Sequence, residues 1–286
     1  MSTHCIMILA HRAPNLFKRL GARLRSDFTV IGHLDASADR SAFATDDIAV
    51  LPQSHRVRWG SYAMIAAALD LLRHGLALEG TETFTLISGD TYPICSPGRL
   101  KEILDQRIDC IDSDIVAPTS ETSQRIVNTY LPDTRIGELR PGMHFLHRHL
   151  DEDLTALVAE AERSRLARPE FLRDYRYAKG AQWWSLTRAT AEKILGLVAA
   201  DPRLVEAMRF SAIPDEAFFQ TAIAKLDLHD TIRPSLVLAK WDTVPAPYTF
   251  EKVEDIVFLK DQKRPLARKF GEASDALIDR IEQELW

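Results

Sequence analysis

Apolar positions along the first ninety residues switch between continuous runs and helical spacing. Residues 5–10 are apolar without interruption and end at His11, the pattern of a parallel strand buried on both faces. Pro14 then opens a segment in which Leu16, Leu20 and Leu24 recur every four residues beside Phe17, which predicts an amphipathic helix. Residues 28–34 form a second strand-like run ending at Asp35, and 48–51 a third. Ser61 stands where it can cap a helix reaching Leu78. Residues 83–88 read as a fourth strand, running into a loop rich in Gly, Pro and Ser that extends to Gly98. Strand, helix and strand in alternation predict an α/β fold, whose ligand site lies at the carboxyl ends of the strands. His11 and Asp35 both sit at such ends.

The remainder is less regular. The pattern predicts a short helix over 100–104 and a short strand over 115–117, whereas 121–141 carries no assignable periodicity. Acids and apolars alternate at helical spacing over 151–165, as on a surface helix. Thr187 can cap a helix striped by Ile194, Leu195 and Val198, and Pro214 leads one carrying Phe218, Phe219 and Ile223. A strand over 236–239, a loop with Pro245 and Pro247, an element over 256–259 and a helix to Trp286 complete the chain. No repeat, low-complexity tract or linker divides it, and it reads as one domain.

Composition narrows the function classes. The 286 residues are 46% hydrophobic and 27% charged, ordinary for a soluble protein and enough for a substantial core. A net charge of −5 argues against a nucleic-acid partner or a polybasic membrane surface. Cys5, Cys95 and Cys110 are too few and too far apart for a disulfide framework or a zinc site, which fits a reducing cytoplasm. The N-terminal apolar run is too short to cross a membrane and precedes its basic residues, so neither a span nor a targeting segment is expected.

Candidate chemistry concentrates between Lys179 and Thr221. Adjacent Trp183 and Trp184, beside Gln182 and Ser185, offer large apolar faces with an N–H donor, suited to stacking on a sugar ring or to packing in a core. Pro214-Asp215-Glu216 puts two carboxylates at a helix start, where acids serve as a general base or simply complement the helix dipole. Asp112-Ser113-Asp114 is a literal Asp-x-Asp, but the short, acid-interrupted segment around it reads as surface charge. His144, His147 and His149 lack the spacing of a helical zinc site.

Taken in order, these pieces resemble the Core-2/I-branching enzyme family of glycosyltransferases, which includes peptide O-xylosyltransferases. The resemblance rests on Ile8-Leu9-Ala10-His11 with Pro14, His33-Leu34-Asp35, Arg56-Val57-Arg58-Trp59-Gly60 and the stretch from Leu86 to Pro93. It continues through Gly180 to Thr187, Pro214-Asp215-Glu216 and Ala267-Arg268-Lys269-Phe270. It implies a GT-A-like α/β fold: a Rossmann-type nucleotide-binding half, about 1–120, fused to an acceptor half, 121–286. It also implies a UDP-sugar donor carrying N-acetylglucosamine or xylose, inversion at the anomeric carbon, and basic side chains in place of a metal cofactor.

On that resemblance Glu216 is the expected base, with Asp215 capping the helix or binding backbone amides. Asp35, His11 and Trp59 are expected around the nucleoside, and Arg268 and Lys269 at the diphosphate. The family's second basic residue precedes a Trp, where this chain has Val237, so Lys240 beside Trp241 is the expected substitute. Asp90, Gln182, Trp183 and Trp184 are expected at a glycan or glycolipid acceptor, reached in the cytoplasm or through loose peripheral contact with a membrane. Two rival readings are a metal-dependent transferase or hydrolase built on Asp90 and the histidines, and a sugar-binding protein without turnover.

Overall fold

The computed structural model describes residues 2–131, 143–145, 154–242 and 246–286. The chain opens with β1 (His4–Ala10), α1 (Pro14–Leu24), β2 (Thr29–Leu34), β3 (Ala49–Val50), α2 (Ala63–Leu76) and β4 (Thr83–Ser88). The four strands pair in parallel in the order β3-β2-β1-β4. The apolar run of β1 is almost wholly buried, as a central strand covered on both faces requires. In α1, Leu16, Phe17, Leu20 and Leu24 face the core, as their spacing predicts.

Next come β5 (Thr91–Pro93), α3 (Pro97–Leu104), β6 (Cys110–Ile111), β7 (Asp114–Ile115), α4 (Gln124–Val127), β8 (Thr129–Leu131) and β9 (Met143–Phe145). Then follow α5 (Leu154–Asp174), β10 (Ala178–Lys179), β11 (Trp184–Thr187), α6 (Arg188–Ala200), α7 (Arg203–Arg209) and α8 (Phe218–Lys225). Strands β12 (Val237–Ala239) and β13 (Leu266–Arg268) and helices α9 (Ile256–Lys260) and α10 (Asp275–Glu284) complete the fold. Strand β11 extends the main sheet antiparallel to β4, with β6 at its outer side. The result is the mixed α/β architecture expected, with a mostly parallel central sheet. One hydrophobic cluster runs from Cys5 in β1 to Ile281 in α10.

Several local expectations change. Ser61 does not cap α2; its hydroxyl accepts from the Arg58 amide, and the helix starts after Tyr62. The segment after Ser88 is not all loop, because β5 pairs with β13, which in turn lies parallel to β12. Pro214 leads only a 3₁₀ turn, Pro214–Glu216, and the α-helix begins at Phe218. The helix expected over 151–165 continues to Asp174 and contains Pro169. Thr187 does cap α6, accepting from the Thr190 amide. Of the three clustered histidines, His147 and His149 lie outside the described residues, as does Pro245, and of His144 only the backbone in β9 is described.

Candidate active site

A cavity of about 1100 Å³ opens at the carboxyl ends of β1, β2 and β4. That is room for a nucleotide-sugar together with part of an acceptor. Its floor forms where the two sheets meet. Gly89 follows β4 so closely on Ala10 that a Cβ there would stand 2.8 Å from the Ala10 Cβ. Asp90 comes next, and the pairing of Thr91 with Arg268 sets the two side chains together.

Asp90 is buried and its carboxylate is fully engaged. It accepts from Ser88 Oγ, from Arg12 at 3.1 Å, and from Arg268 Nε and Nη2 at 3.2 and 3.1 Å. Burial alone would push this carboxyl up, but Arg268 and the Ser88 and Arg12 hydrogen bonds hold it below its ordinary value. Asp90 therefore anchors two guanidinium groups. Arg268 also lies 4.7 Å over the Trp183 ring, a cation–π contact that fixes both. Lys269 adds a half-buried ammonium with no carboxylate or hydrogen-bond partner among the described residues. Burial, then Arg268, depress its pKa against the pull of Asp90. Three cations face one carboxylate here, leaving two positive charges in excess to meet an anion.

Asp35, just past β2, is likewise committed. Its Oδ1 accepts from the Ser37 amide at 2.7 Å and from the Ser37 hydroxyl, and its Oδ2 from the Val57 amide at 2.6 Å. Burial raises its pKa, but these bonds outweigh it and keep the carboxylate ionised. His11 lies between Arg12, Asp90, Asp35 and Lys269; desolvation and then Arg12 lower its pKa, so the ring is neutral at neutral pH. Trp59 and Trp241, 61% and 62% exposed, stand on two different loops of the cavity wall.

Across the cavity, the turn that carries Glu216 is pinned by its backbone. The Gly180 amide donates to the Glu216 carbonyl at 2.8 Å, and the Glu216 amide donates to Ile213 at 3.2 Å. Ile213 itself has φ of 50°, a left-handed conformation rare for a β-branched residue and held here between the two bonds. Gly180 tolerates no side chain: a Cβ would lie 1.7 Å from the Asp112 carbonyl oxygen. Glu216 Oε2 accepts from Arg125 Nη1 at 2.8 Å, while Oε1 has no partner among the described residues.

The structure brings Glu216, His11, Asp35, Trp59, Asp90, Gln182, Trp183, Arg268 and Lys269 to this one cavity. It removes two expected members. Trp184 is buried in the core against Phe219, because neighbouring residues at a strand point to opposite faces and only Trp183 meets the cavity. Lys240 pairs with Asp242 at 2.8 Å and rests on the Tyr248 and Phe258 rings, and it is not among the residues that line the cavity. Val237, at that position, is buried in β12. Asp112 is not free surface charge: it accepts from the Ser235 amide and pairs with Arg264.

Asp215 also departs from expectation. Its carboxyl meets its own backbone amide, but its Oδ1 is sealed from water without a partner among the described residues. Burial, and then the neighbouring charge of Glu216, push its carboxyl from 3.8 to about 7. Below about pH 4 both folded and unfolded chains carry this proton. Above that the unfolded chain releases it first, so stability falls by up to about 1.4 kcal/mol per unit until the folded carboxyl also ionises near pH 7. Asp215→Asn removes the titration. It should leave stability at pH 4 nearly unchanged and raise it at pH 8 by on the order of 4 kcal/mol, read from urea unfolding at both pH values. An equal change at both would mean that Asp215 does not titrate in this way.

The sequence pointed to neither Arg12 nor Arg125. Arg12 follows His11 at the end of β1, so its position was readable in principle. Arg125 lies in the stretch without periodicity, and only the folded structure brings it to Glu216.

Comparison with known proteins places the chain. No curated protein matches it at significant similarity. The family model described as Core-2/I-Branching enzyme matches residues 25–261. The match includes Asp35, Asp90, Trp183 and Glu216, and ends before Arg268 and Lys269. With most of its length matched and a mixed α/β fold of the GT-A-like kind, the chain belongs to the Core-2/I-branching enzyme family of glycosyltransferases.

Proposed function

We propose that the protein transfers a sugar from a UDP-sugar to a hydroxyl of a glycan or glycolipid, with inversion and without a metal. The carrying observation is that one cavity holds a carboxylate, Glu216, with one oxygen unpartnered among the described residues, and an ammonium, Lys269, likewise without a partner among them. In this reading Glu216 Oε1 takes the proton as the acceptor oxygen attacks the anomeric carbon. The bond from that carbon to phosphate breaks, and UDP leaves with the electron pair. Lys269 and Arg268 meet the charge that grows on the diphosphate. His11, Asp35 and Trp59 surround the nucleoside side, and Trp183 with Gln182 the sugar side; Asp90 acts through Arg12 and Arg268 instead of touching the acceptor. The family resemblance carries N-acetylglucosamine or xylose as the sugar.

The geometry disfavours a metal on Asp90, since a cation there would have to displace two guanidinium groups. Among the described residues no group of three His, Cys, Asp or Glu side chains is arranged to hold one. No helix is long and apolar enough to cross a membrane among the described residues.

A thermal-shift screen of nucleotide-sugars in EDTA tests the donor class. A ligand at a hundred times its Kd stabilises the folded state by about 2.7 kcal/mol, so the true donor should raise Tm by several degrees. The expected hits are UDP-sugars and UDP itself. Stabilisation by GDP- or CMP-sugars alone would refute the UDP assignment.

A further inference from the structure

We infer that Arg125 is the positioning residue for Glu216, holding one carboxylate oxygen so that the other is presented to the acceptor hydroxyl. This rests on the reading of Glu216 as the base. The contact is a single one, Arg125 Nη1 to Glu216 Oε2 at 2.8 Å. A two-pronged guanidinium–carboxylate pair would occupy both oxygens and compete with the incoming proton. Here Oε1 keeps its lone pairs, with no partner among the described residues.

Both side chains are half-buried, at 29% and 32% exposure, so the pair is screened less than one in open solvent. Its backbone is built to last. The Arg125 carbonyl accepts from the Ala212 amide at 2.9 Å, which ties α4 to the segment leading into the Glu216 turn. The Gly180 amide holds the same turn from the other side. Three separate stretches of chain therefore converge to set the orientation of one carboxylate. Arg125 also faces Asp215 and the buried Tyr177, so its charge is shared across this corner. A lysine could supply the charge, but not the rigid planar donor that fixes the carboxylate's angle.

Steady-state UDP release by Arg125→Met, Arg125→Lys and the double variant Glu216→Gln/Arg125→Met tests this. Arg125→Met should lower kcat by about ten- to a hundredfold, with the Kd for UDP within about twofold of wild type. Arg125→Lys should recover part of the rate. In the Glu216→Gln background the Met substitution should cost nothing further, because a residue acting through Glu216 has nothing left to position. An equal loss in both backgrounds would overturn the inference, as would a kcat within about threefold of wild type. If Arg125→Met lacks a cooperative thermal transition, Arg125→Lys carries the same comparison: slower alone, no slower on Glu216→Gln. A Glu216→Gln enzyme with the wild-type rate would remove the base itself. An inactive Glu216→Gln beside a fully active Arg125→Met would remove only the positioning role.

Discussion

Glu216→Gln is expected to lower kcat by about a hundredfold or more, the range for loss of a positioned general base. The amide keeps the shape of the side chain and can still contact Arg125, so Tm and UDP affinity should stay near wild type. What it cannot do is take a proton. The comparison is single-turnover UDP formation by the two enzymes, in excess over donor and quenched so that bound UDP is counted, which separates chemistry from product release. A fall of less than about threefold would take the base role from Glu216 and turn attention to Asp215, the other carboxyl of the same turn.

Lys269→Ala is the second large effect. Removing one charge-stabilising group from a site where charge develops costs roughly 2–4 kcal/mol of transition-state stabilisation, about thirtyfold to a thousandfold in kcat/KM. A smaller part should appear as weaker binding of UDP, because the ammonium meets the diphosphate in product and donor as well as in the transition state. Arg268 remains in the variant but is shared with Asp90, so it cannot substitute fully. Calorimetric titration of UDP in EDTA, beside initial rates, gives both quantities. Normal UDP affinity with normal kcat/KM would move the diphosphate elsewhere in the cavity.

The strand ends were the most legible part of the site. His11, Asp35 and Asp90 follow apolar runs long enough to be buried strands, and in a parallel sheet that places them together whatever the loops do. Arg268 and Lys269 were legible only through resemblance. Arg268 ends β13 and Lys269 follows it; that strand is three residues long and pairs with β12 and with β5, some 175 positions earlier, contacts that local periodicity does not reveal. Trp183 and Trp184 are adjacent in sequence but not in role, because the alternation of faces at a strand separates them. Lys240 lies off the cavity wall because its own neighbours, Asp242 and two aromatic rings, hold it locally. Asp215 shows the limit of helix-start rules: an acid at a helix start reads as solvated, whereas folding seals this carboxyl from water beside Glu216. Arg125 had no sequence signal, since its meaning comes from a carboxylate 91 positions away.

The most direct measurement is proton NMR of the sugar released when the enzyme, in EDTA, hydrolyses an α-linked UDP-sugar with water as the acceptor. Attack from the face opposite the leaving UDP, with no metal present, must yield the β anomer first, before mutarotation mixes the two. That early β signal is expected in wild type and should be lost in Glu216→Gln. An α anomer appearing first, or no release until Mn²⁺ or Mg²⁺ is added, would contradict it.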